Sequence, residues 1–213
     1  MLKIINYYRH GETVWNREGR MQGWLNSDLT TEGIEHAMSV KWNPQIVFSS
    51  DLNRAVQTAH LMFPNRTIHK SKNLREIHLG HWQGSYIKDL QQDDQYLCYL
   101  NTPHLFVNTT QESFNDVTER MLGFHEYLLQ LPYERIAVVS HGVAIACLMS
   151  ALHKQPYNQL WGYMLNGAAC FSIEGNSEQL HKGYFCTVIM GESNDLRCLC
   201  NRWWSCRDIQ CIL

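Results

Sequence analysis

Leu2-Lys3-Ile4-Ile5-Asn6-Tyr7-Tyr8 leads directly into Arg9-His10-Gly11-Glu12-Thr13, and this junction decides how the chain is read. A β-branched apolar run of this length predicts a strand, and Gly11 then allows a sharp turn at its carboxyl end. In open α/β sheets that end of a strand is where ligands bind. An Arg and a His are therefore offered side by side where a ligand is expected. Arg supplies a permanent fork of donors for phosphate, and neutral imidazole can act as a nucleophile near pH 7. By itself the triplet is equally the composition of a solvated turn.

Three later segments extend the pattern. Ser49-Ser50-Asp51-Leu52-Asn53-Arg54-Ala55-Val56-Gln57-Thr58-Ala59 follows a second apolar run, Ile46-Val47-Phe48. Leu74-Arg75-Glu76-Ile77-His78-Leu79-Gly80-His81-Trp82-Gln83-Gly84 comes next, and Ile136-Ala137-Val138-Val139-Ser140-His141-Gly142 repeats the opening order of strand, His and Gly. In this order the four segments resemble the histidine phosphatase superfamily, also called the phosphoglycerate mutase-like family, over roughly residues 1–175.

Composition frames what such a chain can do. With 213 residues it is long enough for one domain with a sizeable core. Hydrophobic residues at 45% and charged residues at 18% describe a globular protein. A net charge of −2 argues against a broad surface for nucleic acid or anionic lipid, so an anionic substrate needs a local basic pocket. The first apolar stretch is too short for a signal peptide, and no run approaches a membrane span, which points to the cytoplasm. Oligomeric state is not written in the pattern; a homodimer is compatible with it.

Of the eight cysteines, Cys98, Cys147, Cys170 and Cys186 lie in apolar contexts and are expected to be buried and reduced. Cys198, Cys200, Cys206 and Cys211 crowd into a tail, residues 192–213, that also carries Trp203-Trp204 and does not resemble the family's usual ending. Cys198-Leu199-Cys200 lacks the paired spacing of zinc sites, and Cys211 stands third from the end, where no prenylation signal places it. No metal site is expected; His69, His78 and His81 show no ligand spacing.

Periodicity places helices near Thr30–Thr31, burying Ile34, Ala37 and Met38, and from about Asp51 to Phe63, with Leu52, Val56, Ala59 and Phe63 on one face. Phe114, Val117, Met121, Phe124 and Leu128 mark a long amphipathic helix from near Ser113, and Val143–Met149 a buried one. Later strands are read at Ala168–Ile173 and Tyr184–Ile189. The alternation favours an α/β fold, a three-layer α/β/α sandwich with a mainly parallel central sheet. Residues 1–191 form one domain in this reading, with residues 84–110 as a small helical cap insertion beside the site. Trp24 and Trp82 are candidates for the substrate mouth.

The resemblance implies a phosphomonoester hydrolase that needs no cofactor and acts on a small phosphorylated substrate. It casts His10 as the nucleophile that forms a phosphohistidine, its other ring nitrogen donating to a backbone carbonyl. Arg9 and Arg54 would hold the non-bridging oxygens, and His141, protonated beside the phosphate dianion, would add a third cationic donor. Glu76 matches the general acid, with apolar Leu74, Ile77 and Leu79 favouring its protonated form. Asn16, Gln22, Gly23 and Gly142 complete the substrate-binding set. Glu76 is followed by Ile77, where the mutase branch carries a second Arg, which favours hydrolysis. Phosphoglycerate mutase-type transfer and a non-catalytic phospho-ligand binder are the alternatives.

Overall fold

A computed structural model describes residues 2–176, 180, 186–190 and 197–200, the last two stretches by backbone alone. Its strands are β1 (Leu2–Arg9), β2 (Ile46–Ser50), β3 (Ile68–Ser71), β4 (Arg135–Ser140), β5 (Cys170–Asn176), β6 (Cys186–Met190) and β7 (Arg197–Cys200). They form one sheet in the order β3-β2-β4-β1-β5-β6-β7. β3, β2, β4 and β1 pair in parallel, and β5, β6 and β7 continue the sheet by antiparallel pairing. Five strands thus run one way and β5 and β7 the other, so the mainly parallel expectation holds, with an antiparallel edge.

The helices are α1 (Val14–Arg17), α2 (Thr31–Ser39), α3 (Asn53–Met62), α4 (Asp94–Asn101), α5 (Phe114–Gln130) and α6 (Gly142–Leu152). Alternate residues of β1 serve the two faces of the sheet. Ile5 and Tyr7 pack with α5 and α6, while Tyr8 packs with α2 and α3. Burying both faces of central strands is what makes their sequences nearly continuous apolar runs. α5 starts where expected: Ser113 accepts from the Asp116 amide and Asp116 answers the Ser113 amide, a reciprocal cap.

Several expectations need correction. Ala37 of α2 is buried as expected, but Ile34 and Met38 are exposed, at 37% and 57%, and Gly33 is buried in their place. The cause is close approach: a Cβ on Gly33 would come within 2.3 Å of the Glu12 carbonyl oxygen. The helix therefore turns its small residues, and not its large ones, toward the loop after β1. Cys147 and Cys170 are buried, but Cys98 is only half-buried. Within residues 84–110, α4 buries Tyr96 and Tyr99 against Trp82, Phe106 and Phe114, whereas Leu100 stays exposed. Of the Cys/Trp-rich tail, the backbone of Arg197–Cys200 pairs with β6. Trp203-Trp204, Cys206, Cys211 and the side chains of Cys186, Cys198 and Cys200 lie outside the described residues.

For function, one register matters most. Arg9 of β1 lies opposite Ser140 of β4 in a parallel pair, so His10 and His141 leave adjacent strands at the same level.

Candidate active site

His10 is 3% exposed and fixed from both sides. Its amide donates to the Ser140 carbonyl at 3.0 Å. Its ring Nδ1 lies 2.7 Å from the carbonyl oxygen of Gly11, so that nitrogen carries the proton and Nε2 keeps its lone pair. Gly11 is needed here, because a Cβ would reach to 2.6 Å of the Gly33 carbonyl oxygen. The Gly11 amide in turn donates to Thr58 Oγ1 at 3.0 Å. Burial first, then the charges of Arg54 and Arg9, push the imidazole well below its ordinary pKa, so it is neutral at pH 7.

Arg54 enters from the first turn of α3 and is 1% exposed. Its Nη1 and Nη2 donate to the carbonyls of Leu25 and Gly23 at 2.7 and 2.8 Å, and its Nε donates to His10 Nε2 at 3.2 Å. Burial lowers its pKa to about 10, still leaving it cationic at neutral pH. Arg9 is tied through Nη1 to the Leu165 carbonyl, while its buried Nε has no partner. Gly142 makes room for it: a Cβ there would stand 2.9 Å from Met164 Cε and 3.4 Å from Arg9 Nε.

His141 is fully buried, and neither ring nitrogen has a hydrogen-bond partner. Its ring centroid is 5.2 Å from that of His10, with 59° between the planes. Burial, then Arg54 and the His10 ring, hold its pKa well below the usual range. The imidazole is neutral among these protein neighbours, and the protonated form is expected beside a phosphate dianion. A phosphate dianion would supply the opposite charge that favours protonation.

Glu76 differs from expectation. Backbone amides, not apolar side chains, surround its carboxylate. Oε1 accepts from Ile77 N and Ala144 N, each at 3.0 Å, and Oε2 from Val143 N at 3.2 Å. Val143 and Ala144 are in the first turn of α6, whose N-cap residue, His141, gives no side-chain cap. Glu76 thus takes the role of anion at that helix N-terminus. Arg75 does not pair with it; Arg75 makes a two-pronged bridge to Asp51, both contacts 2.7 Å.

Arg9, His10, Arg54, Glu76 and His141 come together: Glu76 is close enough to act electrostatically on both guanidiniums. Asn16 and Gln22 converge on Thr13, whose Oγ1 receives the Asn16 amide at 3.2 Å and Gln22 Nε2 at 2.8 Å. Gln22 Oε1 is buried without a partner. Gly23, at φ +53°, turns its carbonyl to Arg54. Trp24 lies at the rim, its indole donating to the Glu76 carbonyl at 2.8 Å. Trp82 does not: it is fully buried in the aromatic cluster. Among the described residues, no group of three or more His, Cys, Asp or Glu side chains is placed to hold a metal ion.

Sequence reading missed the pair that holds the Glu76 loop. Arg120 of α5 donates to the carbonyls of Asn73, Arg75 and Glu76 and is bound to Glu112 by two hydrogen bonds of 2.7 and 3.0 Å. Glu112 also accepts from the His78 amide at 3.1 Å. A charged pair at the start of α5 reads locally as a solvated surface contact; only the long-range contact to residues 73–76 gives it meaning.

Comparison with known proteins adds independent observations. The profile of the histidine phosphatase superfamily (branch 1) matches residues 5–182. The adenosylcobalamin/alpha-ribazole phosphatase of Escherichia coli (strain K12) is 28% identical over 180 residues, covering 80% of this chain and 89% of that one. A probable phosphoglycerate mutase, GpmB, of Escherichia fergusonii is 33% identical over 159 residues, covering 68% and 72%. The solved structure of Bacillus stearothermophilus YhfR superposes with a TM-score of 0.75 at 33% identity, covering 82% and 92%.

Proposed function

Because the chain belongs to the histidine phosphatase superfamily, we propose that Arg9, His10, Arg54, Glu76 and His141 are its catalytic groups. Asn16, Gln22, Gly23 and Gly142 complete the substrate site in this reading. The protein is an enzyme, a phosphomonoester hydrolase of small phosphorylated metabolites. One observation carries the assignment of roles: His10 spends its proton on the Gly11 carbonyl, and so keeps a lone pair on Nε2 beside two buried guanidiniums.

The reaction proceeds from that arrangement. Arg54 Nε–H rests on the nucleophilic lone pair, so a phosphate dianion must first draw this donor onto its own oxygen. Arg9 Nε and the one His141 nitrogen that carries a proton, both unpartnered, are donors in reserve for the other oxygens, and the second His141 nitrogen joins them once the bound phosphate protonates the ring. An ester that arrives as the monoanion gives its proton to the Glu76 carboxylate; His10 Nε2 then attacks phosphorus, the bond from phosphorus to the leaving oxygen breaks, and Glu76 delivers that proton to the leaving oxygen. Water next attacks the phosphohistidine, losing its proton to the Glu76 carboxylate, and His10 is restored with inorganic phosphate released.

Charge at the rim favours hydrolysis over mutase chemistry. A mutase substrate carries a carboxylate as well as phosphate, and needs a further free cation. Here Arg75 is held by Asp51, Arg120 by Glu112, and Arg17 by Glu12 and Glu32. Trp24, Leu25 and Met164 present exposed apolar surface instead. We place the protein in the cytoplasm and assign residues 84–110 as a cap that bears on substrate choice. The supports are that no described helix is long and apolar enough to cross a membrane, and that Gly80 and Thr110 join this segment to the Glu76 loop.

The test is turnover of 4-nitrophenyl phosphate, alongside interconversion of 2- and 3-phosphoglycerate with a bisphosphate primer. Hydrolysis that disappears in His10→Ala, without mutase activity, is the expected result. Mutase turnover exceeding hydrolysis would move the protein to the other branch, and binding of phosphate esters with no turnover in either form would make it a binder.

A further inference from the structure

A cavity of about 270 Å³ lies on the α2–α3 face of the sheet, away from Glu76 and His141. Its walls are Asn6 and Tyr8 of β1, the chain leaving α2 through Lys41 and Trp42, and the segment Gly167–Cys170. Asn6 is 1% exposed, and its Nδ2 donates to the Tyr8 hydroxyl at 3.1 Å. Its Oδ1 has no partner. Buried acceptors are almost always paired, so an orphan in a cavity wall is a reason to look for a ligand that donates to it. Trp42 is half-buried and, among the described residues, has neither an indole hydrogen-bond partner nor an aromatic ring against it. One wall therefore offers a flat apolar surface and another a buried acceptor.

The third wall is shared with the catalytic loop. The Ala168 amide donates to the carbonyls of Arg9 and His10 at 3.2 and 3.3 Å, and the Ala169 carbonyl accepts from the Arg9 amide at 3.0 Å. Ala168 holds a left-handed φ of +61°, which an alanine adopts only where its surroundings impose it. A molecule against Gly167–Ala169 would touch the outer side of the segment that fixes Arg9 and His10.

We propose that this cavity is a second ligand site, for a planar nitrogen heterocycle of purine size that stacks on Trp42 and donates an N–H to Asn6 Oδ1, and that its occupancy is felt at the phosphate loop. The space is slightly below that of ordinary small-molecule pockets, about 300–1,000 Å³, and suits one purine ring system whose substituent stays at the open side. Adenosine is the probe, since it has no phosphate for the catalytic site. Calorimetric titration of the full chain should show adenosine binding in wild type and in His10→Ala alike, which separates this site from the hydrolytic reading. Trp42→Ala and Asn6→Leu should each weaken binding about tenfold or more; Trp42→Ala carries the test if Asn6→Leu fails to fold. Adenosine should also change KM for 4-nitrophenyl phosphate in wild type and not in Trp42→Ala, without behaving as a competitive inhibitor. No binding, unaltered affinity in a folded variant, or competitive displacement by orthovanadate would overturn the site. Binding with an unchanged KM would overturn its coupling to the loop.

Discussion

β1 and β4 are neighbours, and each ends in a His-Gly pair, yet the two imidazoles are set up for different work. At the end of β1, the ring of His10 is held at both nitrogens, one by the Gly11 carbonyl and one by Arg54. At the end of β4, the ring of His141 is as deeply buried and is held at neither. The strands run parallel and end at the same level; the segments after them set the two rings apart. After His10 the chain turns over Gly11 into a loop pinned by Thr58, which returns a carbonyl to the ring. After His141 the chain enters α6 at once, and Glu76 satisfies the amides that a capping side chain would otherwise meet. A fixed tautomer that keeps its lone pair on Nε2, under the Arg54 Nε–H, is suited to a nucleophile's role. An unpartnered ring beside it is a donor waiting for an anion.

That contrast can be broken most sharply by paired substitutions. His10→Ala is expected to cut turnover of 4-nitrophenyl phosphate by ~10⁴-fold or more, since it removes the group that forms the intermediate. His141→Ala should cost less, about 10²–10³-fold, the usual loss of one charge-stabilising donor. Equal losses, or the reverse order, would mean that the two rings have been assigned wrongly. Next in size is Glu76→Gln, which should slow alkyl phosphates by about 10²–10⁴-fold and aryl phosphates much less, because a phenoxide departs with little protonation. Losses that do not depend on the leaving group would leave Glu76 as a helix cap alone.

The smallest effect concerns what the rings share. His10 and His141 both have pKa values held well below the ordinary imidazole value by burial, and His153 is lowered in the same direction. Such groups stay neutral in the folded chain while the unfolded chain takes up protons near pH 6.5, so stability is full above that value and falls as pH drops below it. The slope is at most about 1.4 kcal/mol per pH unit for each ring. Urea unfolding between about pH 7.5 and pH 5 measures it, above the range where most carboxylates titrate. His141→Gln should flatten the slope, and an unchanged slope would show that its ring is protonated in the folded protein.

Much of this is legible in the sequence where the cause is local. Strand-turn dipeptides, a helix start near Ser113 and an apolar stripe along α5 are short-range patterns, and they fall where expected. The features that escape depend on contacts made across the chain. Ile34 and Met38 are expected inside because large apolar residues on a helix usually are, but Gly33 has to meet Glu12 first. Trp82 beside a motif suggests a rim, yet Tyr96 and Tyr99 of α4 enclose it. The surroundings of Glu76 come from α6, 67 and 68 residues away, and its loop is clamped by Arg120, 44 residues on. No window of sequence contains both halves of those contacts.

The central claim is that phosphorus becomes bonded to His10 Nε2, and brief mixing with a radiolabelled phosphate ester followed by quenching tests it directly. Label that is lost in acid, survives alkali, maps to the peptide containing His10 and is absent from His10→Ala is the predicted result. Label that survives acid, or that persists in His10→Ala, would contradict the account.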